Sequence, residues 1–154
     1  MAKTRFVYVT YIRSTPEKVW DAIVTPAVTE RYWAQHHNIS DWKPGSTWSH
    51  VRVDAPGVVD IVGTVLESVP PRRLVVSWAA PKDADVRSKH STVTFEIAKA
   101  GDCVCLTVVH DELDEGSEMC AGVTQGWPMV LSSLKSLLET GDGLPWVARS
   151  CERS

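Results

Sequence analysis

Val123, Trp127, Val130, Leu131, Leu134, Leu137 and Leu138 recur at three- and four-residue spacing near the end of the chain. A helix with so broad an apolar stripe must lie against something. What precedes it supplies the partner. Runs rich in β-branched and aromatic residues over 5–12, 48–53, 58–69, 74–79, 91–98 and 103–110 read as six strands. Their links are short apart from the polar stretch Pro81 to Lys89, as antiparallel neighbours require. Asp54-Ala55-Pro56-Gly57 puts Pro-Gly at the centre of a type II turn. The expected architecture is α+β, a six-stranded curved antiparallel sheet closed by one long C-terminal helix. Gly141 is a natural stop for that helix. Pro128 lies inside the stripe and removes one backbone bond, which predicts a kink near Gly126 or a second segment beginning there.

Two short helices are expected after the first strand. Thr15 can cap the first, with Pro16 at the opening position where its missing N–H costs nothing. Val19, Trp20 and Ile23 then share one face. Thr25-Pro26 repeats the signal and starts a second helix carrying Val28, Tyr32 and Trp33. A chain of 154 residues suits one domain with one core. The expected division is a domain over residues 5–141 and a tail over 142–154, in which Trp146 has no periodicity to place it.

The formal net charge of -3 gives no general attraction to nucleic acid or to an anionic membrane. A small molecule or a protein is the expected partner. The start of the chain has no apolar signal-peptide core, and no window approaches the ~18 apolar residues of a membrane span; a cytoplasmic location is expected. Asn38-Ile39-Ser40 is then a chance glycosylation sequon. Cys103 and Cys105 stand two apart on one strand, too distant at Cα to bond comfortably. With Cys120 and Cys151 they lack zinc spacing, so reduced thiols, no metal and no cofactor are expected. His36 and His37 are adjacent and diverge. The acidic run from Asp111 to Glu118 lacks calcium-loop alternation and reads as a solvated loop ahead of a helix. No nucleophile elbow, Walker loop or dinucleotide fingerprint is present.

Several short motifs occur in a fixed order: Thr15-Pro16-Glu17-Lys18-Val19-Trp20, Pro70-Pro71-Arg72-Arg73-Leu74-Val75 with Ser77-Trp78, Val93-Thr94-Phe95-Glu96, Leu106-Thr107-Val108-Val109-His110, and Gly126-Trp127 followed by Leu131, Leu134-Lys135 and Leu138-Glu139-Thr140-Gly141. In this order they resemble the START-like (SRPBCC, helix-grip) superfamily, and within it the branch homologous to the activator of the heat-shock protein 90 ATPase. The resemblance spans residues 5 to 141. It implies a cavity between sheet and long helix that takes apolar or aromatic ligands, and it places Trp33, Trp127 and Val130 near that space.

Strand parity adds candidates of its own. Leu74, Val76 and Trp78 share one face, as do Leu106, Val108 and His110; Trp48, His50 and Arg52 share one that could point either way. Trp33, Trp48, Val76, Trp78, Val108, His110, Trp127 and Val130 are the candidate ligand contacts. The tryptophans either line a cavity or fill a core. His110 is the one catalytic candidate: a ligand hydrogen-bond partner, a general base, or a histidine satisfied by its neighbours. The expected function is binding of a small hydrophobic or aromatic molecule of about two or three fused rings, without chemistry of its own, by a monomer or homodimer. The alternatives are a cyclase, dehydratase or hydrolase acting on such a ligand, and a chaperone-regulating interaction protein.

Overall fold

The two short helices start at Pro16 and Pro26 and the long helix stops at Gly141, as expected. A computed structural model of the chain describes residues 2–145. In it α1 spans Pro16–Val24, with the Thr15 hydroxyl accepting from the Lys18 N–H at 3.3 Å. The second helix, α2, spans Pro26–Tyr32 and starts on Pro26 without a side-chain cap from Thr25. The long helix, α3, spans Glu118–Thr140 and is capped by Ser117 accepting from the Cys120 N–H at 3.0 Å. Gly141 closes α3 with φ 93°, a left-handed conformation that glycine adopts without strain. No second segment starts at Pro128, which sits within this single helix. The carbonyl it leaves without a donor belongs to Thr124, an exposed residue that water can serve.

The sheet has seven strands, not the six expected. They are β1 (Lys3–Ile12), β2 (His36–Ser40), β3 (Thr47–Arg52), β4 (Val59–Val69), β5 (Arg73–Trp78), β6 (Ser91–Ala100) and β7 (Cys103–Asp114), in the order β1-β7-β6-β5-β4-β3-β2, with every neighbouring pair antiparallel. The additional strand is β2. Its sequence, His-His-Asn-Ile-Ser, has no apolar alternation, and its one large apolar residue, Ile39, is exposed. It pairs because β3 offers an edge and because the inward Asn38 stands opposite His50, where each satisfies the other. The strand expected to end at His110 runs on to Asp114, so part of the acidic run is sheet rather than loop. There Asp111 pairs with Arg5 and Asp114 with Lys3 across to β1, each at 2.8 Å.

Between β3 and β4, Val58 N–H bonds the Ala55 carbonyl at 3.0 Å and Gly57 has φ 89°, as a type II turn over Pro56-Gly57 requires. The inward faces of β5, β6 and β7 carry Leu74, Val76 and Trp78; Val93, Phe95 and Ile97; and Val104, Leu106, Val108 and His110, all buried. Onto them α3 lays Val123, Trp127, Val130, Leu131, Leu134 and Leu137. The short helices add Val19, Trp20, Ile23 and Tyr32 from the side, and the Tyr32 hydroxyl donates to the Ala22 carbonyl at 2.8 Å. Among the described residues no helix is long and apolar enough to cross a membrane.

Candidate functional site

Three tryptophans from distant parts of the chain meet under α3. Trp33 ends α2, Trp78 ends β5, and Trp127 lies on the inner face of α3. Their ring centroids are 6.5 Å (Trp33–Trp78), 5.3 Å (Trp33–Trp127) and 5.7 Å (Trp78–Trp127) apart. Each such contact adds about 0.5–1.5 kcal/mol beyond its buried area. Together with His50, Ile61, Ala34 and Val130 the three rings wall a cleft of about 170 Å³. A cavity of about 150 Å³ accommodates benzene, so this cleft suits one ring or a compact bicycle. That is smaller than the expected two or three fused rings.

The helix side of the cleft is Gly122, Val123, Gly126, Trp127 and Val130, which fall on one helical face. A Cβ built at Gly122 or at Gly126 meets no atom within 4 Å. Neither glycine is needed for close packing, and together they leave the cleft its opening. The floor turn is also unusual. Ala34 and Gln35 carry φ of 48° and 56°, rare for residues with a Cβ. They steer the chain from Trp33 directly into β2, with the His36 N–H bonding the Trp33 carbonyl at 3.0 Å.

Two histidines are buried here, and their wiring differs. His110 is fully buried, opposite Val93 and diagonal to Ser91. The Trp127 indole N–H donates to His110 Nδ1 at 3.0 Å, which leaves the hydrogen on Nε2. Nε2–H then donates to the Ser91 hydroxyl at 2.8 Å, and that hydroxyl donates to the Trp78 carbonyl at 3.3 Å. This relay ties α3 to β5, β6 and β7 through a neutral imidazole, and burial pushes the His110 pKa down to about 3. With both nitrogens occupied, His110 is wired as a structural strut.

His50 points inward from β3 and is 6% exposed. Its Nδ1–H donates across the strands to Asn38 Oδ1 at 2.5 Å. The ring stacks on His36 at 4.0 Å and stands 5.1 Å from Trp33 and 6.4 Å from Trp78. Burial, and then the neighbouring His36, press its pKa down to about 3. His36 Nδ1 meets the Ala34 carbonyl at 2.8 Å and its Nε2 meets Asp60 Oδ2 at 2.7 Å, so both its ring nitrogens are engaged. Arg52 forks onto the same carboxylate at 2.8 and 3.0 Å, and this bonding, with the His36 contact, takes the Asp60 pKa down to about 2.

Of the candidate contacts read from sequence, Trp33, Trp78, Trp127 and Val130 border the cleft. Trp48 and Val76 instead flank a gap of only about 10 Å³ deeper in, where the rings are packed core. Trp48 is held there by its indole N–H donating to the Ser77 carbonyl at 2.8 Å. Val108 and His110 lie in the layer beneath and border neither space. Reading the sequence alone passed over His50, Ile61, Ala34 and the two glycines. The signal for His50 was its parity with Trp48. For the glycines it was their i, i+4 spacing on the face of Val123 and Trp127. Trp146 lies outside the described residues. Asn38 of the chance sequon is buried on β2 with its amide engaged by His50.

A family model described as Activator of Hsp90 ATPase homolog 1-like protein matches residues 13–139. A comparison with curated proteins gives no match. Among solved structures, the solution structure of the Aha1 dimer from Colwellia psychrerythraea is similar at a TM-score of 0.75 and 20% identity, covering 91% of this chain and 99% of that one. CalU16 from Micromonospora echinospora is similar at 0.71 and 24% identity, covering 92% and 77%. An HSP90 activator from Plasmodium falciparum is similar at 0.71 and 19% identity, covering 87% and 95%. At these identities the likeness is one of fold.

Proposed function

The chain belongs to the family of Activator of Hsp90 ATPase homolog 1-like proteins, and from that footing we propose that it binds one small apolar or aromatic molecule under α3, without covalent chemistry of its own. The observation that carries this reading is the cleft of about 170 Å³ walled by Trp33, Trp78, Trp127 and Val130 and left open on the helix side by Gly122 and Gly126. A well-packed core leaves few voids larger than a water molecule, and two mid-helix glycines cost about 1 kcal/mol each against alanine. A helix that only had to cover the sheet would gain by filling both positions. Chemistry is the weaker reading, since both His110 nitrogens are engaged by internal partners and a base of pKa about 3 has little pull on a proton at neutral pH. Free thiols at Cys103, Cys105 and Cys120 agree with a reducing, cytoplasmic setting.

The test is a titration with toluene and indole. Saturable quenching of tryptophan fluorescence and a rise in melting temperature are expected, because a ligand held only by the folded state stabilises it by mass action. Gly126→Leu, whose side chain would enter the cleft, should abolish both signals while the protein stays folded. If neither ligand moves either signal in the unmodified protein, the cleft is not a binding site. A second reading, regulation of a chaperone ATPase, is favoured by the family description and by the Plasmodium relative. It is checked by the ATPase rate of purified Hsp90 with and without this protein, and an unchanged rate removes it.

A further inference from the structure

We infer that the occupant of this cleft is a neutral aromatic carrying one O–H or N–H donor, a phenol or an indole in class, held by that donor against Nε2 of His50. The inference rests on the binding role proposed above and names its ligand chemistry. Of the cleft-lining side chains only the three indoles and His50 carry polar atoms, and indoles donate. Trp127 and Trp78 have spent their N–H groups, on His110 Nδ1 at 3.0 Å and on Met119 Sδ at 3.3 Å. His50 therefore supplies the one side-chain acceptor.

Its geometry is fixed from behind. The bond to Asn38 Oδ1 holds the hydrogen on Nδ1, so Nε2 presents a lone pair. Stacking on His36, with only 4° between the ring planes, sets its tilt. His36 itself cannot approach Nε2, since both its nitrogens are bound to Ala34 and Asp60. No hydrogen bond to His50 Nε2 is present among the described residues, and no side-chain polar atom sealed from the surface lacks a partner. The Nε2 lone pair is thus left to whatever enters the cleft, in a residue otherwise more than nine-tenths buried. His110 makes the contrast, for its two nitrogens are both consumed internally. No cationic side chain lines the cleft, so a carboxylate or phenolate finds no counter-charge, and an aromatic face repels an anion.

Phenol, anisole and toluene separate the possibilities, being one ring each with a donor, an acceptor only, and neither. Isothermal titration of the unmodified protein should find phenol bound roughly 2- to 12-fold more tightly than anisole, the worth of one neutral hydrogen bond. His50→Phe should keep toluene binding and erase the phenol preference. His50→Phe combined with Asn38→Leu removes the stranded amide and serves if the single variant does not fold. If phenol and anisole bind equally, or if the preference survives in the variant, the donor–acceptor pairing is wrong while the apolar site stands. If none of the three binds, the proposed binding role itself is overturned.

Discussion

Replacing His110 by Gln should flatten the acid side of the stability curve by a calculable amount. Folding holds His110 neutral with a pKa near 3, against about 6.5 in an unfolded chain. The unfolded state therefore binds the proton first as pH falls. The stability tied to this group is fully present above about pH 6.5 and drains away as pH drops toward 3. Between pH 7 and 4.5 the protonation of one such site costs about 2.5 kcal/mol, from about 1.4 kcal/mol per pH unit below the unfolded pKa. Glutamine can accept from the Trp127 indole and donate to Ser91, so the strut is kept in outline while its titration is lost. Urea unfolding of both proteins at pH 7 and pH 4.5 gives two differences, and the wild type should lose about 2.5 kcal/mol more than the variant. Other titrating groups cancel in that comparison. Parallel losses would refute the claim that His110 is held neutral by the fold, whatever the absolute stabilities.

Leu134, 1% exposed at the middle of the α3 stripe, should cost about 2–5 kcal/mol on replacement by Ala. Lys135→Ala should cost no more than about 1 kcal/mol, because its bonds to the Tyr11 carbonyl and Glu139 are exposed; equal urea midpoints for the two variants would mean the buried face is misassigned. Gly63→Ala should cost about 3 kcal/mol or more, since the new Cβ would lie 1.9 Å from the Ser77 carbonyl oxygen and 2.4 Å from Trp48 Nε1. A melting temperature within a degree or two of wild type would show that this strand contact can relax. Gly122→Ala and Gly126→Ala should each stabilise by about 0.5–1 kcal/mol, or roughly 1–4 °C in melting temperature. A fall in either case would mean that these glycines are needed for packing rather than for access.

Much of the frame was legible because its causes are local. Thr15-Pro16 starts a helix through groups three residues away, Gly141 ends α3 by its own backbone freedom, and parity put Leu74, Val76 and Trp78, and Leu106, Val108 and His110, on shared faces that prove to be inward. The family resemblance lay in those same segments. What sequence could not decide was set by partners far along the chain. The strand β2 exists because β3 pairs with it and Asn38 meets His50, so a segment with no apolar alternation still becomes sheet. Trp48 and Trp78 look alike in a strand pattern, yet one is packed core and the other borders a cleft. The difference is that Trp78 shares a cleft with Gly122 and Gly126 of α3, whereas Trp48 does not. His110 and His50 are both inward-facing histidines beside tryptophans. Only the three-dimensional arrangement assigns two partners to the first and leaves a lone pair on the second, because hydrogen-bond satisfaction depends on atoms that folding brings together.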